Sequence, residues 1–200
     1  YYIYIKTGQH KPVELSSFTA NVNKNNVNLH WQTANESNNR GFEIERKSSD
    51  ENSQWSKISF VEGNGTTHES RTYSFTDNKL ISGKYSYRLK QVDFNGNFEY
   101  FNLQNDVNIG VPDQFELSQN YPNPFNPSTK INFSLPVDSK VKLSIYDMSG
   151  KLVSTLINNE FKSANYYSLE FNGSNLSSGT YFYTIEAGSN VLTKKMVLIK

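Results

Sequence analysis

Hydrophobic residues recur at every second position along most of this chain. Val27, Leu29 and Trp31 alternate with Asn28, His30 and Gln32, and Phe42 and Ile44 alternate with Glu43 and Glu45. The same period returns at Ile131, Phe133 and Leu135, at Val141, Leu143 and Ile145, at Tyr167, Leu169 and Phe171, and at Tyr181, Tyr183 and Ile185. Successive side chains of a strand leave opposite faces, so each set marks the buried face of one strand. No stretch of helical length carries a 3.6-residue period. The pattern predicts an all-β protein built as two tandem Greek-key β-sandwich domains.

Turn formers punctuate these runs. Asn95-Gly96 stands between Tyr85–Val92 and Phe98–Phe101 as a hairpin signal, because both residues accept positive φ. Ser149-Gly150, Asn172-Gly173 and Ala187-Gly188 serve in the same way further on. The Asn105–Asp113 stretch, with its turn formers and Pro112, marks a boundary, giving a first domain over 12–109 and a second over 110–200. Tyr1–Lys6 reads as a separate strand, so residues 1–11 are expected to be the last strand of a preceding domain or an assembly strand. Leu80-Ile-Ser-Gly-Lys-Tyr-Ser-Tyr-Arg-Leu89 is echoed by Leu176-Ser-Ser-Gly-Thr-Tyr-Phe-Tyr-Thr-Ile185. In each copy a glycine ends a loop and an inward tyrosine opens the next strand, where its hydroxyl can bond back to the loop as in a tyrosine corner. That makes Tyr85 and Tyr181 candidate core anchors.

Composition narrows the function. A net charge of +1, with no basic block longer than Lys194-Lys195, is too weak a field for nucleic acid. Cysteine is absent, which removes disulfides and thiolate metal sites. No apolar run reaches the ~20 residues of a membrane-spanning helix. The chain opens on Tyr1 without an export signal, which fits a mature or truncated piece whose signal lay upstream.

His10, His30 and His68 share no metal-ligand spacing and read as solvated, no Gly-x-Ser-x-Gly elbow occurs, and Gly63-Asn-Gly65 leads into no helix. No catalytic residue, metal or cofactor is therefore expected. Asp93–Glu99 resembles half a calcium loop but lacks the terminal bidentate glutamate, so a plain hairpin is preferred. Sequons at Asn35, Asn64, Asn132, Asn172 and Asn175 are expected by chance in so Asn- and Ser-rich a chain. The 13 Tyr and 13 Phe raise the question of a sugar-stacking platform. The alternation turns Tyr85, Tyr87, Tyr181 and Tyr183 inward, however, and supplies no outward set of rings.

One segment has no purely local account. Tyr121-Pro-Asn-Pro-Phe-Asn-Pro-Ser-Thr129 holds three prolines in six residues. Each removes a backbone donor and biases its predecessor to extended geometry, so a central strand is excluded. A stiff polyproline-like edge is expected, with Phe125 as a buried anchor and Asn123 and Asn126 bonding backbone.

Phe115-Glu-Leu-Ser-Gln-Asn-Tyr-Pro-Asn-Pro-Phe-Asn-Pro-Ser-Thr129 resembles the opening of the type IX secretion C-terminal sorting domain. The likeness continues through Ile145-Tyr-Asp-Met-Ser-Gly-Lys-Leu-Val153, Leu176-Ser-Ser-Gly-Thr-Tyr181 and Lys194-Lys-Met-Val-Leu-Ile-Lys200. It implies a seven-stranded sandwich over about residues 114–200, read as an address by an outer-membrane translocon, with a surface sortase as a further partner in many members. The sorting motif would then lie in Tyr121, Pro122, Asn123, Pro124, Phe125, Asn126 and Pro127, in Gly150 and Gly179, and in the terminal strand with Lys195 and Lys200. Residues 12–104 are similar to a fibronectin type III-like module. The likeness rests on Pro12–Ala20, Val27–Thr33 and Gly41–Arg46, with Trp31 plugging the sandwich centre.

The resemblance implies the export and display region of a larger protein, secreted or held on the outer face of a Gram-negative cell. Two alternatives stay open: a structural adhesin or surface fibre that self-assembles through strand edges, and an accessory glycan-binding module of a secreted hydrolase.

Overall fold

The computed structural model describes residues 13–49 and 52–200; Tyr1–Lys6 and His10 lie outside them. The described residues form fourteen strands and no helix, as the two-residue period requires. They group into two compact units: residues up to Asn78 together with Gly83–Ile109, and Lys79–Ser82 together with Gly110–Lys200.

In the first unit, β1 (Glu14–Asn23) and β4 (Arg71–Asp77) flank the first part of β2 (Asn26–Ser48). The later part of β2 lies between β3 (Ser56–Thr67) and β5 (Gly83–Asp93), and β6 (Phe98–Asn102) and β7 (Val107–Ile109) follow on β5. Val27–Thr33 and Phe42–Glu45, which read as separate strands, are thus parts of one 23-residue strand that passes from one set of partners to the other. In the polar stretch between them, Glu36 and Asn39 are buried and bond each other, Asn39 donating to the Glu36 carboxylate. Gly41, at φ +153°, sits at the bulge where pairing with both β3 and β5 shifts register. A Cβ there would come within 2.4 Å of the Val61 carbonyl oxygen, so only glycine fits. Trp31 is buried beside this crossing, stacked on Tyr73 at 5.5 Å between ring centroids and edge-on to Phe42 at 5.6 Å.

The outer face of the same unit corrects the expectation that no outward rings exist. The Arg88 guanidinium lies between the Trp55 and Tyr100 rings, 4.3 and 3.9 Å from their centroids, and bonds Glu45 at 2.6 Å. Lys90 stands over Phe98 and Lys57 over Phe60, and both pair with Glu43. The rings point outward because β2, β3, β5 and β6 place acidic, cationic and aromatic positions side by side across the sheet. Alternation within one strand cannot show that.

The second unit has seven strands in two sheets. One runs β11 (Leu152–Lys162), β10 (Ser139–Tyr146), β13 (Gly179–Ala187), β14 (Asn190–Leu198), and the other β12 (Asn165–Asn172), β9 (Ser128–Leu135), β8 (Glu116–Leu117). Ile131, Phe133, Leu135, Leu143, Ile145, Tyr183, Ile185, Met196 and Leu198 share one buried cluster. The β10–β11 hairpin closes at Asp147, whose carboxylate accepts the Ser149 and Lys151 N–H groups and the Ser149 hydroxyl, while Gly150 takes φ +82°. The β5–β6 hairpin repeats the backbone pattern: Asp93 N–H bonds Asn97 O at 2.8 Å, and Gly96 N–H bonds Asp93 O at 3.0 Å. Tyr181 donates its hydroxyl to Ser177 O at 2.8 Å, four residues back, and Tyr167 does the same to Ser163 O.

Candidate functional site

The proline segment follows β8, with Ser118, Gln119 and Asn120 between the two. Tyr121 exchanges both backbone bonds with Lys130, each 3.0 Å, and the chain then bends at 122–124 and again at 126–127. A straight polyproline-like edge is therefore not what forms. The peptide bonds Tyr121–Pro122 and Asn123–Pro124 are cis. Phe125 is 1% exposed and tilted against Phe171 at 6.0 Å, while Tyr121, Pro122, Asn123, Pro124, Asn126 and Pro127 all face solvent. Six exposed residues are thus held around one buried ring.

What holds them is a polar lock beneath the segment, centred on Asn120. Its N–H donates to the Tyr183 hydroxyl at 2.8 Å, which in turn donates to Ser118 O at 2.7 Å. Its side-chain amide donates to Pro122 O and to Thr129 Oγ1, both 3.0 Å, and Thr129 passes its own proton to Pro122 O at 2.8 Å. Gln119 donates to Asn120 Oδ1 at 2.6 Å. Burial pushes the Tyr183 hydroxyl up to about 12, against the pull of the Asn120 N–H, so it stays protonated and remains a donor.

The segment also docks on the carboxy-terminal strand. Phe125 N–H donates to Val197 O at 2.9 Å and Ile199 N–H to Phe125 O at 3.0 Å. Val197 N–H reaches Asn123 Oδ1 at 2.9 Å, and Gln119 Nε2 reaches Lys195 O at 2.7 Å. Pro127 O accepts Gly173 N–H at 2.8 Å. Lys200 donates its N–H to Ser178 Oγ at 3.0 Å and its ammonium to Ser174 O at 2.7 Å, beside Gly179, which pairs with Leu198.

The structure therefore gathers Tyr121–Pro127, Gly179, Lys195 and Lys200 into one region, while Gly150 sits apart in its own hairpin. Lys195 itself is exposed and contributes only its carbonyl to this contact. Of the remaining sequence candidates, Trp31, Tyr85 and Tyr181 lie buried, and His30 and His68 are exposed. Sequence reasoning did not single out Asn120, Thr129 or Gln119, and it read Gly173 only as a turn former. A Cβ on Gly173 would stand 3.2 Å from both Phe125 and Leu198, so this glycine makes room for the ring and is not merely a turn residue. No alternation signals these four: Asn120 and Thr129 meet across the bend of the proline segment, and Tyr183, Lys195 and Pro127, which Asn120, Gln119 and Gly173 bond, are remote in sequence. Among the described residues no cluster of His, Cys, Asp and Glu suited to a metal ion is found.

Residues 119–200 match the family model for the Secretion system C-terminal sorting domain. These residues are such a sorting domain. The sorting domain begins at the polar lock and ends on the strand it grips, so the matched stretch is the structural assembly just described. It is a non-catalytic signal region of a secreted or surface-attached protein, in line with the type IX secretion resemblance of its motifs.

No curated protein matches the chain. Among solved structures, the chain is similar to dimeric latent PorU from Porphyromonas gingivalis, at 16% identity and a TM-score of 0.35 over 98% of this chain and 21% of that one. A tetra-tandem repeat in the extending region of a large adhesion protein gives 18% and 0.33 over 92% and 48%. Red sea bream transglutaminase gives 10% and 0.30 over 95% and 32%. The chain spans from about a fifth to about half of these structures' lengths.

Proposed function

We propose that this chain is the export and display region of a larger secreted protein. In this reading the second unit is the address read by the outer-membrane translocon of type IX secretion. The first unit is a fibronectin type III-like spacer without an active site, and a surface sortase is a further partner. The observation that carries it is the joining of the two ends of the matched stretch. Phe125 and Asn123 of the proline segment are hydrogen-bonded to Val197 and Ile199, and Gln119 just before it to Lys195 O, so motif and terminal strand present one preorganised surface. A surface ordered before binding loses less entropy on recognition.

The test fuses the whole chain behind an unrelated cargo carrying an ordinary signal peptide, in a type IX-competent bacterium. Surface protease accessibility of the cargo is expected for the full chain. It should be lost on removing Met196–Lys200, which deletes the strand that the proline segment grips. Retention of the full fusion in the periplasm, while a known sorting domain exports the same cargo, would refute the reading.

A further inference from the structure

β14 is an edge strand whose outer backbone is only half covered. The turn at Gly188–Ser189 pairs Ala187 with Asn190. This directs the backbone groups of residues 190, 192, 194, 196 and 198 to β13 and those of 191, 193, 195, 197 and 199 outward. The proline segment and Gln119 take up the outward groups from Lys195 O to Ile199 N–H. The N–H and C=O of Val191 and Thr193 and the N–H of Lys195 have no hydrogen-bond partner among the described residues. Beside them runs an open groove of about 480 Å³, with Phe115, Leu117 and Gln119 on one wall and Leu192 and Lys194 on the other.

We propose that this free half-edge is a strand-addition site for an extended, acidic segment of the export apparatus; the proposal rests on the export reading above. An added strand completes the ladder at Val191, Thr193 and Lys195, and its alternate side chains enter the groove against Leu192, Phe115 and Leu117. Its charge follows from Lys194 and Lys195, both exposed at this edge. Edge lysines discourage pairing with a second copy that carries the same lysines, and they favour a strand bearing carboxylates. Glu116 also lines the groove, on the far wall, which confines those carboxylates to the lysine side.

The test uses the whole chain labelled with nitrogen-15, and two short probe peptides, alternating valine–glutamate and alternating valine–lysine. The acidic peptide should shift the amides of 191, 193 and 195 and bind ~10-fold or more tightly than the basic one. Thr193→Pro removes one outward donor and spares the β13 ladder. It should abolish peptide binding and lower surface delivery of a fused cargo ~10-fold or more, with the melting temperature little changed. Should that variant unfold, Lys194→Glu with Lys195→Glu is expected to reverse the peptide preference and block delivery in a folded chain.

Absence of shifts at 191–195 overturns the site whatever the export result. Normal delivery by the folded variants overturns its use by the apparatus. Concentration-dependent dimerisation that moves the same amides makes the occupant a second copy and overturns the proposal. If the acidic peptide binds at the edge but the unaltered fusion stays periplasmic, the export reading falls while the strand site itself stands.

Discussion

Glu36 shows how much a single buried group can organise. It is 1% exposed and forms no ion pair among the described residues, yet it accepts hydrogen bonds from Thr33, Asn39, Tyr73 and the Asn64 N–H. Burial alone would raise its pKa, but the four donors outweigh burial and hold it below the ordinary value of 4.5. A carboxylate with a lowered folded pKa adds stability that is complete above the unfolded value and lost as pH falls through the folded one. The first unit should therefore lose stability on acidification below about pH 4.5. Glu36→Gln, which turns an amide towards two of the donors, should cost ~1–3 kcal/mol at pH 7 and progressively less in acid. Urea denaturation of both proteins at pH 7 and at low pH checks this, and an equal loss at both pH values would contradict it.

Trp31 acts through volume. Trp31→Ala should cost ~3–5 kcal/mol, and Trp55→Ala less, because Trp55 is only half-buried between Lys47 and Arg88. Near-equal small losses in a denaturation series would mean that the first unit does not depend on its central ring.

At the scale of elements, the proline segment and β14 are coupled through a fit as well as through hydrogen bonds. Phe125 lies where Gly173 leaves space and Leu198 closes it, so the ring, the glycine and the terminal strand move together or not at all. Gly173→Val should displace Phe125 and cost ~1–3 kcal/mol by overpacking. It should also loosen amide protection at Val197 and Ile199, measured by hydrogen exchange. Unchanged protection there would mean that the segment and the strand are held independently. Sequence exposed the parts of this element but not their junction. Three prolines told that 122–127 is no central strand. The docking bonds join Phe125 to Val197, some seventy residues away, as the register shows, and no local pattern encodes such a pairing.

For the whole molecule, the division near Gly110 carries its own prediction. Residues 9–110 and 112–200 expressed separately should each give dispersed amide spectra, because each set of strands encloses its own buried side chains. If neither is dispersed while the whole chain is, the two share a core. The sequence by itself determined the strand character, the faces that carry Val27, Leu29, Ile131 and Leu143 inward, and the sorting-domain motifs, because two-residue alternation and turn chemistry are local. Only the tertiary structure decided that β2 bends through a buried glutamate, that Arg88 lies between two rings, and that Asn120 locks a proline segment over the last strand. Each of these is a meeting of residues far apart in the chain, and its stability comes from burial and hydrogen bonds that exist only once the sheets have closed.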